Sequence, residues 1–546
     1  MSTAAKNLPV ISLPSFKIKS IAAPSKSRSA YTFWILTGLI FLVALISLFF
    51  LSKQSLRLDE AQSLWQSSRT PAGILRVIAE DVHVPLYGLM LHFWEFLFGT
   101  SVFAVRMMSL LFFMAAIPLT YFVGKLAYNR TAGIYAAVLV AVSPFLNWYG
   151  NEIRMYSLMV AAGLANNYFF LQLFHQKENA EKRVSFTKIW IGYILTAFIG
   201  IYTHYFFWLM LLTQGLFFLL YRRLFPQGSL KKFIFIAAGL LLTLSPWLYF
   251  VYHLGLIGNS TPLIFKPTSI NLFNTFSQFL FGFQDDHLNT LIVSLWPLTV
   301  AFVFLSLRKN QKIPPQSVYF FLSAILPLAL VFLISITLRP IFLTRYLIFT
   351  VPSLYLFLAW FLSAYPQKIA AGLKTLLVLG MVFMLINQAA SADTPVKEDY
   401  QQAAALLNQE TTAEDVVILS APFTVYPVEY YYTGPAQLTT LPVWDRFKVG
   451  PIPPFNQQQM VADINNMKQD HNRAFLLLSY DQGYQKNIQQ YFDANFQRLE
   501  SHHLSPGMDL YVYKLKYGAV TFDSIMQTAN AAAQATTSLD SNLIKQ

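Results

Sequence analysis

The sequence predicts a mainly α, polytopic membrane protein with a small α/β domain at its C-terminal end. Three observations carry that prediction. The chain of 546 residues is 55% hydrophobic and only 12% charged, half the share of a typical soluble domain. Its mean hydropathy is +0.45. Its apolar residues gather in runs of about 20, the length that crosses ~30 Å of hydrocarbon as a helix. This pattern excludes a disordered chain, a wholly soluble enzyme and a nucleic-acid binder with an exposed basic stripe. The absence of Cys excludes disulfides, thiolate metal sites and Cys nucleophiles.

Eleven spans are read: 31–51, 101–124, 131–149, 155–174, 186–203, 205–221, 233–253, 288–307, 318–337, 341–362 and 369–388. With the N-terminus inside, the cytoplasmic segments are 1–30, 125–130, 175–188, 222–232, 308–312 and 364–374. They hold 20 of the 39 Lys and Arg residues, against only Glu178 and Glu181. This is the positive-inside signature. The net charge of +13 is therefore a topology signal and not a polyanion site. It places the N-terminus inside and the C-terminal region outside.

Residues 1–30 read as a basic, disordered cytoplasmic tail. The first span is too long for a signal h-region and is read as retained. Residues 31–388 form the membrane domain. Within it, 52–100 is a long outer loop whose segment 85–98 (PLYGLMLHFWEFLF) suits an interfacial helix. A second long outer loop covers 254–287, with Asp285 and Asp286 read as solvated. Residues 389–517 read as an extracytoplasmic α/β domain. Its strands are expected at 415–420, 474–480 and 510–515, and its helices near 397–409, 457–470 and 484–493. Residues 518–546 are a low-complexity tail. No G-x-G-x-x-G, P-loop or H-E-x-x-H occurs in the outer domain, which argues against a bound nucleotide.

The chemistry-bearing residues sit at the outer face. The first outer loop opens with Leu56-Arg57-Leu58-Asp59-Glu60 and continues to Glu80-Asp81-Val82-His83-Val84-Pro85-Leu86-Tyr87. Four acids in two tight pairs beside an apolar surface suggest carboxylates whose pKa desolvation raises towards a base's range; a solvated polar loop is the bland reading. Isolated charges mark the outer span ends: Arg106, Glu152, Arg154, His204, Arg339 and Arg345. Many such charges merely snorkel to water. Guanidinium groups at that depth also suit a lipid phosphate.

Several of these segments resemble glycosyltransferase family 39 and the related protein O-mannosyltransferases. They are Asp59-Glu60, His83-x-Pro85-Leu86-Tyr87, Ser101–Leu111 with Arg106, Glu152–Leu158 (EIRMYSL), Thr203-His204-Tyr205, Arg345-Tyr346 before Pro352, and Lys397-Glu398-Asp399-Tyr400. The resemblance covers roughly residues 31–430. It implies a GT-C-type membrane glycosyltransferase in the plasma (inner) membrane of a bacterium. Its sugar donor would be a polyprenyl-phosphate carrier, its acceptor a lipid, glycan or protein, and its partners would include no nucleic acid. The resemblance matches Asp59, with Glu60 beside it, to the catalytic base; Asp81 joins them as a catalytic candidate. A single Pro follows His83 and Val84 where many relatives have His-Pro-Pro.

The resulting expectation is inverting transfer, with Asp59 acting on the acceptor hydroxyl. Arg345, Arg339 and Arg154 would bind the donor phosphate. Glu80, His83, Tyr87 and His204 would position the acceptor or the loop. No cofactor is certain; Glu80, Asp81 and His83 are the candidate ligands for a divalent cation. Two other classes fit less well. A transporter or flippase of lipid-linked sugars would show repeats and midplane charges. A non-catalytic assembly protein would have no need of acid-rich loops beside the first span.

Overall fold

The computed structural model describes residues 26–51, 54–81, 83–175, 186–254, 264–307, 313–391, 393–448 and 450–516. Most of the basic N-terminal tail and the low-complexity tail read at 518–546 lie outside the described residues, as do Glu178 and Glu181. The first helix, α1 (Lys26–Leu51), begins inside the segment read as disordered.

Among the described residues, seven helices are long and apolar enough to cross a membrane. They are α1, α5 (Val102–Ala127), α8 (Tyr156–His175), α11 (Ser229–His253), α15 (Pro315–Thr337), the 3₁₀ turn Thr344–Thr350 running into α16 (Val351–Phe361), and α17 (Gln367–Ala390). The other four expected spans differ in detail. The run at 131–149 is a broken pair, α6 (Arg130–Val142) and α7 (Pro144–Gly150), bent by 62°. The break has a local cause. Pro144 occupies the first turn of α7, and the Ser143 hydroxyl caps it by accepting from the Leu146 amide at 3.2 Å. The helices α9 (Phe186–Thr203) and α10 (Phe207–Leu220) are shorter than a usual span. The run at 288–307 divides into α13 (Asp286–Ser294) and α14 (Trp296–Leu307). Before it, α12 (Ser269–Phe281) fills part of the long loop, and the exposed Asp285 caps α13.

Lipid is as apolar as Leu, so close packing and polar contacts hold such helices together. Gly124 and Gly133 let α5 and α6 touch backbone to backbone: a Cβ on Gly133 would lie 2.5 Å from the Tyr121 carbonyl. A buried polar knot joins α8, α9, α10 and α15. Gln214 donates to Asn166 at 2.8 Å and to Asn167 at 3.2 Å, and accepts from the Tyr193 hydroxyl at 2.9 Å; Tyr319 donates to Asn167. Large apolar side chains, among them Phe41, Phe235, Leu242, Leu376 and Phe383, point outward from α1, α11 and α17. Such an apolar exterior is a lipid-facing surface.

The first long loop holds three helices where one was expected. They are α2 (Leu58–Ser67), α3 (Pro71–Ala79) and α4 (Leu86–Phe98). α4 is the anticipated interfacial helix. It is tied to α2 where Ser67 donates to Glu95 at 2.6 Å and the Ser67 carbonyl meets His92 at 2.8 Å.

After α17 the chain forms a five-stranded mixed sheet, in the order β2-β1-β3-β5-β4. The strands are β1 (Val416–Ser420), β2 (Gln437–Thr440), β3 (Arg473–Ser479), β4 (Gln497–Ser505) and β5 (Met508–Lys514). β1 pairs in parallel with β2 and β3; β5 is antiparallel to β3 and β4. The helices are α18 (Tyr400–Glu410), α19 (Val425–Tyr431), α20 (Gln457–Asp470) and α21 (Gln485–Asn495). This unit docks on the first loop. Ser55 donates to the Glu398 carbonyl at 2.6 Å, the Leu56 amide donates to the Tyr431 hydroxyl at 2.9 Å, and Trp65 meets Tyr426 at 5.0 Å.

Candidate active site

The beginning of α2, the turn after α7 and the 3₁₀ turn before α16 converge under the sheet unit. Asp59 lies in the first turn of α2. Its two oxygens face two guanidinium groups: Arg345 at 3.0 Å and Arg154 at 3.4 Å. Arg154 also donates to the Ser63 hydroxyl at 3.3 Å. Both arginines keep a buried Nε with no hydrogen-bond partner. Buried unpaired donors are costly, and two beside one carboxylate make a site prepared for an anion. Burial pushes the Asp59 carboxyl up, but Arg154 and Arg345, with His83 and Arg57, outweigh it and hold it below the usual range. The expected upward shift is therefore corrected: these neighbours keep Asp59 ionised.

Glu60 has a different job from the catalytic one expected of it. It is fully buried and accepts from four donors. Arg106 reaches it through Nε at 2.8 Å and through a second nitrogen at 2.5 Å; the Arg57 and Ile153 amides add bonds at 2.9 and 3.1 Å. A carboxylate so saturated has no lone pair left for a substrate. Arg106 spends its remaining donors on the Gln54 and Ser55 carbonyls. The pair pins the start of α2 to α5 and so aims Asp59.

Asp81 accepts from Gln62 and Gln66 of α2, at 3.4 and 3.2 Å. Glu80 caps the end of α3; burial raises its pKa, and Arg76 and Arg69 oppose the rise. His83 stands in a ring cluster with His204 at 6.4 Å and Tyr346 at 6.5 Å, and His204 meets Tyr346 at 4.9 Å. Burial lowers the His83 pKa to about 4, so the imidazole is neutral. His204 accepts from the Phe206 amide through Nδ1 at 3.0 Å. Glu80, Asp81 and His83 do not converge as metal ligands. Among the described residues, the one group of three or more such side chains with ligand atoms within 4.8 Å is Glu410, Glu500 and His502, in the sheet unit.

Tyr87 is buried and bonded to Ser109 of α5 at 2.8 Å, so it ties α4 to α5, which is the loop-positioning half of its expected role. One further expectation is corrected. Arg339 is exposed beyond the end of α15 and makes no ion pair among those found with Asp59. Pro340 and the following residues separate it from Arg345, which alone turns inward.

Three residues around the site, Arg57, Trp148 and Tyr480, are not among the sequence candidates, and Glu152 is one only as an isolated charge at a span end. Arg57 stacks on Trp148, its guanidinium carbon 3.3 Å from the ring centre, and pairs with Glu152 at 3.4 Å. Burial raises the Glu152 carboxyl to about 7, Arg57 opposing and Asp59 and Glu60 reinforcing. Tyr480, at the end of β3, has a left-handed backbone with φ 62°. The residue is 47% exposed; partial desolvation raises its phenol, the charges of Glu398, Asp59 and Glu152 adding to the rise and Arg345 opposing it. A non-glycine residue held in that conformation is a signal of function that no motif carries.

Beside this polar centre runs an apolar groove lined by Leu86 and Leu89 of α4, Tyr202, and Trp247 and Phe250 of α11. Two of its lining residues, Pro85 and Tyr202, stand two positions along the chain from His83 and His204.

A family model described as dolichyl-phosphate-mannose-protein mannosyltransferase matches residues 82–250. No curated protein matches the chain. The structure of ArnT from Cupriavidus metallidurans in the apo state is similar, with a TM-score of 0.59 at 12% identity over 88% of this chain and 98% of that one. ArnT bound to undecaprenyl phosphate gives 0.57 at 11% identity, over 91% and 99%. An oligosaccharyltransferase of Archaeoglobus fulgidus gives 0.43 at 12% identity, over 81% and 67%. The chain is an integral membrane protein with the GT-C fold that the ArnT structures share.

Proposed function

We propose that the chain is a membrane glycosyltransferase that moves a sugar from a polyprenyl-phosphate carrier to an acceptor on the extracytoplasmic face, with inversion at the anomeric carbon. The observation that carries this reading is Asp59 bracketed by Arg345 and Arg154, both holding unpaired buried donors, in a chain of long apolar helices that also carries an apolar groove. A phosphate with a prenyl tail suits that combination. The similarity to ArnT, solved with undecaprenyl phosphate, supports it, as does the family model.

The chemistry follows from charge. Before the donor arrives, Asp59 is tied to two cations and is a weak base. A donor phosphodiester competes for Arg345 and Arg154 and loosens their hold on the carboxylate. The acceptor hydroxyl donates to Asp59, within the ~2.6–3.2 Å that proton transfer needs. Its oxygen attacks the anomeric carbon while the bond from that carbon to the phosphate oxygen breaks. The proton passes to Asp59, and the carrier leaves as a phosphomonoester dianion. That extra negative charge is what the guanidinium groups stabilise, at about 2–4 kcal/mol for a well-placed donor. The sheet unit would face the extracytoplasmic side of a bacterial inner membrane, consistent with the positive-inside charge pattern.

The test is transfer by the purified chain from a polyprenyl-phosphate sugar. Asp59→Asn should fold and lose at least about 10²-fold in rate, the lower end of the range for a general base. A fully active variant would remove Asp59 from this role.

A further inference from the structure

A second cleft lies on the other side of Arg57. Its water-accessible space is about 50 Å³ and it is open on one side. It is lined by Arg57, Arg106, Lys397, Asn147, Asn151 and Trp148, and by Ile46 of α1 and Leu385 of α17. Among the described residues, three cations and no acid line it. Ile46 and Leu385 lie near the sheet-side ends of two spans.

The polar atoms of the cleft are unevenly committed. Arg106 is spent on Glu60 and two carbonyls. Lys397 caps α17, donating to the carbonyls of Gln388 and Ala389 at 3.2 Å each, and to that of Ser391. Arg57 is held loosely, by Glu152 at 3.4 Å and Gln54 at 3.3 Å. Those lengths lie beyond the usual range for a charged hydrogen bond. Asn147 donates through Nδ2 to the carbonyls of Ala141 and Ser143, at 2.9 and 2.8 Å; Asn151 donates to that of Asn147 at 2.8 Å. These bonds fix both amides, since a flipped amide would set oxygen against oxygen. Each Oδ1 is then left buried with no partner, and Asn147 is 3% exposed.

Such a cleft asks for one ligand with two properties: an anionic group for Arg57, and hydrogen-bond donors for two carbonyl oxygens. Its apolar lining from two spans, Ile46 and Leu385, asks that the ligand come from the membrane. We infer that the cleft between α1 and α17 binds a glycerophospholipid whose headgroup joins a phosphate to free hydroxyls, as in phosphatidylglycerol. The phosphate takes the donors of Arg57, and the hydroxyls donate to Asn147 and Asn151. Choline has no donor to offer these oxygens, so phosphatidylcholine is discriminated against. Free phosphate gains nothing from Ile46 and Leu385. The cleft shares Arg57 and Trp148 with the candidate active site but none of Asp59, Arg154 and Arg345, and it deepens the proposed function only by adding a lipid that draws Arg57 away from Glu152.

Native mass spectrometry of the full chain tests this, with phosphatidylglycerol, phosphatidylcholine and inorganic phosphate as probes. Phosphatidylglycerol should bind about tenfold or more tighter than phosphatidylcholine. Arg57→Gln should remove about tenfold of that affinity, and Asn151→Leu should reduce the preference between the two lipids. Millimolar phosphate should not displace the lipid. Equal affinity for the two lipids, or wild-type binding by both variants, overturns the proposal. Displacement by phosphate overturns it in favour of a free-anion site. Should Arg57→Gln fail to fold, Asn151→Leu alone decides. The assay involves no turnover, and Asp59→Asn should bind phosphatidylglycerol normally; failure here leaves the transferase reading standing, and loss of that reading leaves the lipid site standing.

Discussion

Glu60 and Arg106 form a doubly bonded ion pair with both side chains almost wholly buried, one residue along the chain from the carboxylate proposed to do chemistry. Breaking one side of such a pair strands a buried charge, at about 3–5 kcal/mol. Glu60→Ala and Arg106→Ala should each lower the thermal midpoint of the chain in detergent by several degrees. Replacing both with apolar residues of similar volume should recover part of the loss, because no charge is then stranded. Single variants as stable as the wild type would show that the pair does not fix α2.

The arginines separate by position. Arg345 touches Asp59, whereas Arg339 is exposed beyond α15. Arg345→Ala should weaken binding of a polyprenyl-phosphate lipid by roughly 10–100-fold, the 1.5–3 kcal/mol of a charged hydrogen bond. Arg339→Ala should leave it within about twofold. Equal effects, measured by equilibrium binding of the labelled lipid, would discard Arg345 as the phosphate donor.

This contrast shows what the sequence carried and what it did not. Apolar run length disclosed the seven long apolar helices but not the breaks in the runs at 131–149 and 288–307. The fully buried strand β1 (VVILS) was legible for the same reason. β2 and β4 were not: QLTT and QRLESHHLS lie at the edges of the sheet and lack an apolar alternation, and β4 is largely exposed. The site's residue types were legible because charge is rare in such a chain. Their partners were not, because which of Arg339 and Arg345 turns inward depends on the backbone around Pro340, and Glu60 and Asp59 differ only in which face of α2 they occupy. Tyr480 carried no signal, since a left-handed φ at a tyrosine is imposed by tertiary structure.

Glu152 gives a pH signature. Its folded pKa is about 7, against the ordinary 4.5. Between those values the folded state holds more protons than the unfolded, so this group's contribution to stability falls as pH rises. Glu152→Gln lacks the titration. The variant's midpoint, relative to wild type, should climb by roughly several degrees from pH 4.5 to 7 and level off above. His83, with a lowered pKa, acts with the opposite sign, but it is present in both proteins and largely drops out of the difference. A difference independent of pH would show that Glu152 is not held protonated by its burial.

Tyr480 reaches the centre from the sheet unit at the expense of a left-handed backbone. Its ring is steadied by Phe423 at 5.7 Å. If the strain serves the site, stability and activity should part when it is relieved. Tyr480→Gly adopts φ 62° freely but adds chain entropy to the unfolded state, so the net change in stability should stay under about 1 kcal/mol. Transfer should nevertheless fall about tenfold, because the phenol within range of the Asp59 and Arg345 charges is gone. Tyr480→Phe keeps the ring and removes the hydroxyl, so it divides the loss between packing and hydrogen bonding. Wild-type rates in both variants would confine Tyr480 to the architecture of the sheet unit and leave the first loop, α7 and the turn before α16 to form the site without it.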